Sequence, residues 1–207
     1  LNSKSPSPYN KHLQLVPVNG NIDFLYILLH NNNVLLTHQM LLNDTIETPK
    51  VIDYICNNNL PYISVQDKSG NIYVFYQSSD TTNTQLGYKL FSKEIKNWSI
   101  FTPITDPGIN CDFPSAVVDN SNIMHVCFQK HGSRHYELVY KQKIPEKNAW
   151  SDEKIIHSSV YPFENSSVLT IGEKVIVYWV RNDAIYYCSS NNKGNSWSKP
   201  ARYNFPT

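Results

Sequence analysis

An aromatic residue recurs four times along this chain at an almost constant spacing. Its members are Tyr26, Tyr76, Phe128 and Trp179, which are separated by 50, 52 and 51 residues. Each one closes a run of five strand-like residues, at 22–26, 72–76, 124–128 and 175–179. Self-similarity at a fixed period of this size is typical of repeat architectures. The sequence therefore predicts four copies of one unit of about 50 residues.

Each copy shows the signals of several short antiparallel strands. A turn with Gly or Asn precedes every run, as at 19–21, 69–71, 120–122 and Gly172, and this predicts a hairpin. Further strand-like segments lie before the turn and after the run. Trp98, Trp150 and Trp197 then recur, with Ile46 at the corresponding place in the first copy, and they indicate a fourth strand per unit.

Four consecutive antiparallel strands in a unit of about 50 residues are typical of a β-propeller blade. We therefore predict an all-β, single-domain β-propeller over residues 1–207, with blades at about 11–55, 60–110, 114–163 and 166–206. A jelly roll or sandwich predicts no such period, and a leucine-rich solenoid needs shorter repeats. The ring is either closed with four blades or part of a larger propeller. In this fold the recurring aromatic residues belong to the core.

Composition excludes several classes of function. The 18 Lys and Arg residues nearly balance the 17 Asp and Glu residues, so no overall positive field favours nucleic acid. No apolar stretch approaches the length of a membrane span, so no membrane insertion is expected. The sequence has no phosphate-binding or dinucleotide-binding glycine motif, and we predict no cofactor. Four Cys residues without a CxxC pair leave the redox compartment open.

A turn motif in the last copy carries a family resemblance. Residues 190–197 read SNNKGNSW, with Ser190, Asn192, Gly194 and Trp197 at the positions that matter. The segment resembles the Asp-box of sialidases and related BNR-repeat propellers, although Asn192 replaces the Asp and Ser196 replaces the Thr. Asn can still bond nearby backbone N–H groups, and Gly can adopt a positive φ. The resemblance implies a structural turn away from any catalytic face, and a location outside the cell or in its envelope. The Asn-rich composition is typical of a bacterium with low GC content.

The residues argue against sialidase chemistry. Arg is the side chain that grips a carboxylate with two parallel hydrogen bonds, and the family resemblance implies three of them. The chain has only Arg134, Arg181 and Arg202, and Arg202 falls on an outermost strand. His131 and His135 are four residues apart, but in a loop rather than on a helix, so we predict no metal site. Asp119 is interpreted as a turn former. We predict a non-catalytic member of the family.

Loops at one face of a propeller are the expected ligand surface, because a rigid scaffold can hold functional residues there. Amide and aromatic side chains in these loops favour a neutral glycan. A protein-interaction scaffold and a glycoside hydrolase-like enzyme without the arginine triad remain the alternatives. The predicted ligand-binding residues are His30, Asn32, Tyr62, Asp80, His131, Arg134, His135, Arg181 and Asp183.

Overall fold

The recurring runs form strands because β-branched and aromatic residues dominate them. The computed structural model describes residues 13–18, 20–56, 60–78, 85–145, 148–163 and 165–204. In these ranges the structure contains strands and turns and no α-helix. The same ranges accordingly hold no helix with the length and apolar character that crossing a membrane requires.

Within the described ranges, nineteen strands form four antiparallel sheets in chain order. The first sheet consists of β1 (Leu13–Val18), β2 (Asn21–His30), β3 (Asn33–Leu42), β4 (Thr45–Ile46) and β5 (Lys50–Ile55). The second consists of β6 (Tyr62–Gln66), β7 (Ile72–Gln77), β8 (Leu86–Ser92), β9 (Asn97–Trp98) and β10 (Thr102–Pro103). The third consists of β11 (Cys111–Val118), β12 (Met124–His131), β13 (Tyr136–Ile144), β14 (Ala149–Trp150) and β15 (Lys154–Ser159). The fourth consists of β16 (Ser167–Ile171), β17 (Lys174–Arg181), β18 (Ala184–Ser190) and β19 (Ala201–Arg202).

The four sheets share one topology, in which consecutive strands are neighbours. The fourth sheet has the predicted four strands. In the other three the outer strand is split, and both of its parts pair with the third strand of the sheet. In the third sheet, β14 pairs with the end of β13, whereas β15 pairs with its beginning, with a bulge in this pairing between Leu138 and Val139. The predicted strand at Trp98 and Trp150 is thus the first of two short segments, and Trp197 precedes β19.

Successive sheets pack face to face through three hydrophobic interfaces. The first interface joins sheets 1 and 2, the second joins sheets 2 and 3, and the third joins sheets 3 and 4. Tyr76, Phe128 and Trp179 are buried in these three interfaces in turn, and Tyr26 is buried on the first sheet. The prediction that the recurring aromatic residues are core is therefore confirmed. A shared packing requirement explains why they recur.

One ring contact repeats across every interface. A residue of the third strand of one sheet meets a tryptophan of the next sheet. The pairs are His38 with Trp98, Tyr88 with Trp150 and Tyr140 with Trp197, and their ring centroids are 5.4, 5.9 and 4.8 Å apart. The repeated tryptophan thus packs against the sheet that precedes its own in the chain.

The antiparallel topology gives every sheet two distinct edges. Here an edge means the side of a sheet at which its strands end, not an edge strand. The upper edge carries the turns between the second and third strands and the loops that lead from one sheet to the next. The opposite edge, with the turns between first and second strands, is the lower edge. This arrangement of four blades is the predicted all-β propeller architecture.

Candidate functional site

The candidate site lies at the upper end of the third interface. Three side chains define what we call the upper cluster: Asp112 near the start of β11, and Gln129 and His131 at the end of β12. Gln129 and His131 are two residues apart on one strand, so both project from the same face. Asp112 is the register partner of Gln129 on the neighbouring strand. The sheet itself therefore brings the three side chains together.

A network of short contacts fixes the upper cluster. The Gln129 amide donates to Asp112 Oδ1 at 2.8 Å, and its own oxygen accepts from the Phe163 backbone N–H at 2.5 Å. His131 Nε2 lies 3.0 Å from Asp112 Oδ2. Gln129 is fully buried, whereas the side chains of Asp112 and His131 are 15% and 30% exposed. The Asp112 carboxylate and the His131 imidazole are therefore accessible to solvent, while the buried Gln129 beneath them is fixed by hydrogen bonds.

Local backbone geometry presents Asp112 at this edge. The register of β11 shifts between Asp112 and Ser115, and Phe113 within the bulge has a φ of 50°. A positive φ is uncommon for an aromatic residue and costs on the order of 1–3 kcal/mol. Bulges redirect side chains, and they are frequent next to functional sites. The bulge interrupts the pairing of β11 with β12 beside the cluster, and the pairing resumes at Asp112.

Aromatic side chains surround the cluster. The His131 ring meets Tyr136 edge to face at 5.2 Å, and Phe163 meets Trp179 at 5.8 Å. His157 stacks on Trp179 at 5.2 Å between centroids. Burial, and then the positive charge of Arg181, lower the pKa of His157. The side chains next to the upper cluster are therefore mainly aromatic, and burial favours the neutral form of His157 among them.

An exposed cation–π pair joins the loop that enters the fourth sheet to the end of β17. The Arg181 guanidinium carbon is 4.4 Å from the centroid of the Tyr161 ring. Tyr161 is 55% exposed, so its ring offers a face to solvent. Contacts of this kind contribute about 0.5–1 kcal/mol at exposed sites. The pair orders two side chains that would otherwise be free to rotate.

The predicted histidines of the third sheet separate into two pairs. His131 pairs with Asp112, whereas His135 Nε2 lies 3.1 Å from Glu137 Oε1. Arg134 is exposed between them, and Arg202 lies on the outer strand β19 as expected. Among the described residues, no group of three or more His, Cys, Asp or Glu side chains has the arrangement of a metal site.

Turn geometry accounts for several of the other predicted residues. Asn31 and Asn32 have φ values of 49° and 62°, and Asn182 and Asp183 have 49° and 56°. Two consecutive positive φ values are the type I′ hairpin turn, which favours Asn and Asp. His30 is exposed beside the first of these turns and contacts the Asn31 amide at 3.2 Å. These residues form the upper edge, and their part in ligand binding stays a prediction.

Tyr62 and Asp80 differ from the rest. Tyr62 is buried in the first interface, where its hydroxyl donates to the Leu25 carbonyl at 2.6 Å. This placement favours a structural role. Asp80 lies outside the described residues. Asp112 and Gln129 are not among the predicted ligand-binding residues, because only the strand register shows that these two residues, 17 apart in sequence, meet.

The motif at 190–197 forms a tight hydrogen-bonded turn at the lower edge. Ser190 Oγ accepts from the Gly194 N–H at 2.8 Å, and Asn192 Oδ1 accepts from the Ser196 N–H at 2.9 Å. Gly194 has a φ of 84°, which glycine adopts without strain. Trp197 packs on Tyr140 of the third sheet. Lys154 Nζ donates to the Gly194 and Asn195 carbonyls at 2.8 and 3.0 Å. The turn therefore lies opposite the upper cluster and is held by contacts within the protein.

Comparison with solved structures identifies the fold. An ulvan lyase matches with a TM-score of 0.62 and 10% identity, over 92% of this chain and 55% of that one. The sialidase NanB from Streptococcus pneumoniae matches with a TM-score of 0.61 and 11% identity, over 97% and 52%. The α-L-arabinofuranosidase Arb93A from Fusarium graminearum matches with a TM-score of 0.54 and 11% identity, over 96% and 68%.

These likenesses show that the chain has the sialidase-like β-propeller fold, and they show the fold alone. The chain spans about half the length of the ulvan lyase and of the NanB sialidase that it matches. No protein-family model and no curated protein sequence matches it.

Proposed function

We propose that this chain is a carbohydrate-binding propeller module whose ligand surface is the upper edge of the third interface. The observation that carries the proposal is the upper cluster, in which a buried glutamine holds Asp112 and His131 towards solvent. Carbohydrate sites combine a few fixed polar groups with aromatic faces. Tyr161 supplies such a face on the neighbouring loop. The proposal also includes membership of the BNR/Asp-box class, for which the hydrogen-bonded turn at 190–197 is the support.

The proposal rests on fixed geometry as well as chemistry. A ligand that meets preorganised groups loses less conformational freedom on binding than one that must order them. Asp112, Gln129 and the Phe163 backbone are already bonded to one another, so the donors and acceptors are in place. The carboxylate can accept from sugar hydroxyls, and the imidazole can donate or accept.

Thermal melting with a panel of saturating oligosaccharides tests the proposal. A ligand that binds only the folded state stabilises it, by about 2.7 kcal/mol at a hundred times its dissociation constant. We expect at least one saccharide to raise the melting temperature, and we expect Asp112→Asn and Tyr161→Ala to abolish that rise. Tyr54→Ala is the matched control, because Tyr54 is 54% exposed on the first sheet. A panel without effect, or an equal loss in the control, would contradict the proposal.

Glycan cleavage is the second candidate function, and the Asp112–His131 pair is the observation that favours it. An imidazole oriented by a carboxylate is a common general base or acid. Glycoside hydrolysis, however, ordinarily uses two carboxylates, and here Asp112 is paired with an imidazole instead. Release of reducing ends from a bound saccharide, lost in His131→Gln, would favour cleavage over binding alone. We expect no turnover of a sialoside, because Arg202 lies on the outermost strand β19 and is separated from Arg181 on β17 by β18.

A further inference from the structure

The first interface is open at its lower edge. A cavity of about 230 Å³ lies there between the first two sheets, and we call it the lower recess. The ends of β1, β3 and β8 and the start of β2 form its walls. Apolar side chains line much of it, namely Val18, Met40, Leu42 and Phe91. The upper cluster lies at the opposite edge of another interface, so the lower recess is a separate site.

The two walls of the lower recess carry opposite charges. The first sheet contributes the carboxylates of Asp23 and Glu47, and the second sheet contributes the ammonium groups of Lys93 and Lys96. Among the residues that the structure describes, no ion pair joins these lysines to these carboxylates. A molecule in the recess therefore has negative groups on one side and positive groups on the other.

Backbone hydrogen bonds hold both walls in place. The Glu47 N–H donates to the Met40 carbonyl at 2.9 Å, and the Glu47 carbonyl accepts from the Gln39 amide at 2.8 Å. On the other wall, the Lys93 N–H donates to Asn71 Oδ1 at 3.1 Å. A ligand in the recess therefore meets charged side chains whose backbones are already ordered, and this lowers the entropic cost of binding.

Asp23 is a buried carboxylate with too few hydrogen-bond donors. It is 2% exposed, and the one polar contact of its carboxylate within the described residues is with His38 Nε2, at 3.4 Å. The indole N–H of Trp98, which can only donate, donates to His38 Nδ1 at 3.2 Å, so the ring is neutral with its proton on Nε2. The contact of Nε2 with Asp23 lacks hydrogen-bond geometry. Buried polar groups are ordinarily hydrogen-bonded, so Asp23 has unused acceptor capacity beside the recess.

The second interface shows how the corresponding place is filled elsewhere in the fold. Tyr88 lies 50 residues after His38, and Lys143 of the next sheet donates to its hydroxyl at 3.2 Å. Phe91 lies 52 residues before Lys143 and takes its place in the first interface, where it packs on the His38 ring at 4.9 Å. Phe91 has no polar group to offer Asp23. The donor that a lysine supplies in the second interface is therefore missing from the first.

We propose that the lower recess binds a small zwitterion, namely an α-amino acid with an apolar side chain. The ligand's ammonium group donates to Asp23, its carboxylate faces Lys93 and Lys96, and its side chain packs among the apolar residues of the walls. The cavity is smaller than the roughly 300–1,000 Å³ of pockets for drug-sized ligands, and this suits a molecule as small as an amino acid. The inference goes beyond carbohydrate binding at the upper edge and does not depend on it.

The two methionines of the chain provide a probe and its internal control. Met40 lines the lower recess, whereas Met124 is buried in the second interface. We expect titration with L-valine, L-leucine and L-phenylalanine to shift the ¹³C-methyl signal of Met40 to saturation with at least one of them, while the Met124 signal stays in place. The amine and the acid that each lack one charge of leucine, isopentylamine and 4-methylpentanoate, should bind about tenfold more weakly or worse. An unchanged Met40 signal with all three amino acids, or equally tight binding of the amine alone, would overturn the proposal.

Substitutions on the two walls test which side chains bind the ligand. Asp23→Asn keeps the size of the side chain but removes its charge, and should weaken amino-acid binding about tenfold or more. Lys93→Gln should weaken it severalfold, and it tests the site even where Asp23→Asn does not fold. Lys199→Gln, at an exposed lysine of the fourth sheet, is the matched control and should bind normally. Asp112→Asn should also bind the amino acid normally, which separates this site from the upper cluster. Equal affinity in Lys93→Gln and Lys199→Gln would contradict the proposal.

Discussion

The third interface contains two carboxylate–imidazole pairs, one near each edge. At the lower end, Asp119 Oδ2 lies 3.3 Å from His125 Nε2, and the two side chains are 4% and 0% exposed. At the upper end, Asp112 Oδ2 lies 3.0 Å from His131 Nε2, and the side chains are 15% and 30% exposed. The same chemistry therefore occurs twice in one pair of sheets, once closed from solvent and once open to it.

The lower pair has all of its partners within the protein. Asp119 accepts from the backbone N–H groups of Ser121 and Ile123 at 2.7 and 2.9 Å, and the Tyr140 hydroxyl lies 2.6 Å from His125 Nδ1. Burial lowers the pKa of His125, against a smaller opposite effect of Asp119. The Tyr140 hydroxyl donates to Gln142 Oε1 at 3.0 Å, so the His125 ring lies between a bonded hydroxyl and the Asp119 carboxylate. The lower pair is therefore structural, whereas the upper pair has room for a ligand.

The largest expected loss of stability comes from a substitution at Gly194, which lies against the Tyr140 hydroxyl beside the lower pair. A Cβ at Gly194 would overlap the Tyr140 hydroxyl and also force an L-residue to a φ of 84°. Together these penalties should cost about 3 kcal/mol in Gly194→Ala, measured as the free energy of urea unfolding. Gly172→Ala is the matched control, with a φ of 61° and no atom within 4 Å of the added Cβ. It should cost about 1 kcal/mol. Equal losses in the two variants would show that Tyr140 does not constrain this end of the interface.

The second largest expected loss of stability distinguishes Asp119 from Asp67, which lies in the corresponding turn of the second sheet. Asp119→Ala removes the acceptor of two backbone N–H groups and the partner of a buried imidazole, and should cost about 2–3 kcal/mol in urea unfolding. Asp67, 52 residues earlier, accepts from the Asn71 N–H at 2.9 Å in the corresponding turn. Asp67→Ala should cost about 1 kcal/mol. If both variants lose the same stability, the lower pair contributes nothing beyond its turn.

The pH dependence of stability tests the buried state of His125 in the lower pair. His125 has a lowered pKa in the folded state and an ordinary value, 6.5, in the unfolded chain, so the unfolded state binds more protons between the two values. Its contribution to stability is complete above pH 6.5 and is lost as the pH falls below it. Unfolding free energies at pH 7.5, 6.5 and 5.5 should therefore fall in that order. The slope should be shallower in His125→Gln than in the original protein, and equal slopes in the two would show that His125 does not cause the pH dependence.

Much of this architecture can be predicted from the sequence because repetition reports shared packing. The columns at Phe128 and Trp197 identify the sheets and the outer turns before any coordinates are known. The split outer strand is harder to predict, because β4, β9 and β14 are only two residues long. A local signal does exist for β9 and β14 in the Ser after the tryptophan, since the Ser99 and Ser151 hydroxyls accept from the third strand at 3.0 and 3.1 Å. Ser198 makes the same bond at 3.0 Å in the fourth sheet.

The site is less predictable than the fold because its contacts are not local. Asp119 is correctly interpreted as a turn former, yet its buried partner His125 follows only from knowing which side of β12 is covered. Likewise, the spacing of His131 and His135 suggests a pair, whereas the register of β11 and β12 gives His131 a carboxylate partner instead. Strand pairing and burial determine the partners of both histidines, and neither can be read directly from a single sequence.

The smallest expected effect on stability belongs to the upper pair. Asp112→Asn removes the charge but keeps an oxygen that can accept from the Gln129 amide, and partly exposed ion pairs contribute about 0–1 kcal/mol. We therefore expect the free energy of urea unfolding to change by less than about 1 kcal/mol, while saccharide-induced stabilisation is lost. A loss as large as that of Asp119→Ala would make the upper pair as structural as the lower one. A small loss of stability with full loss of binding would instead make exposure the property that separates a ligand-binding pair from a structural one in the same interface.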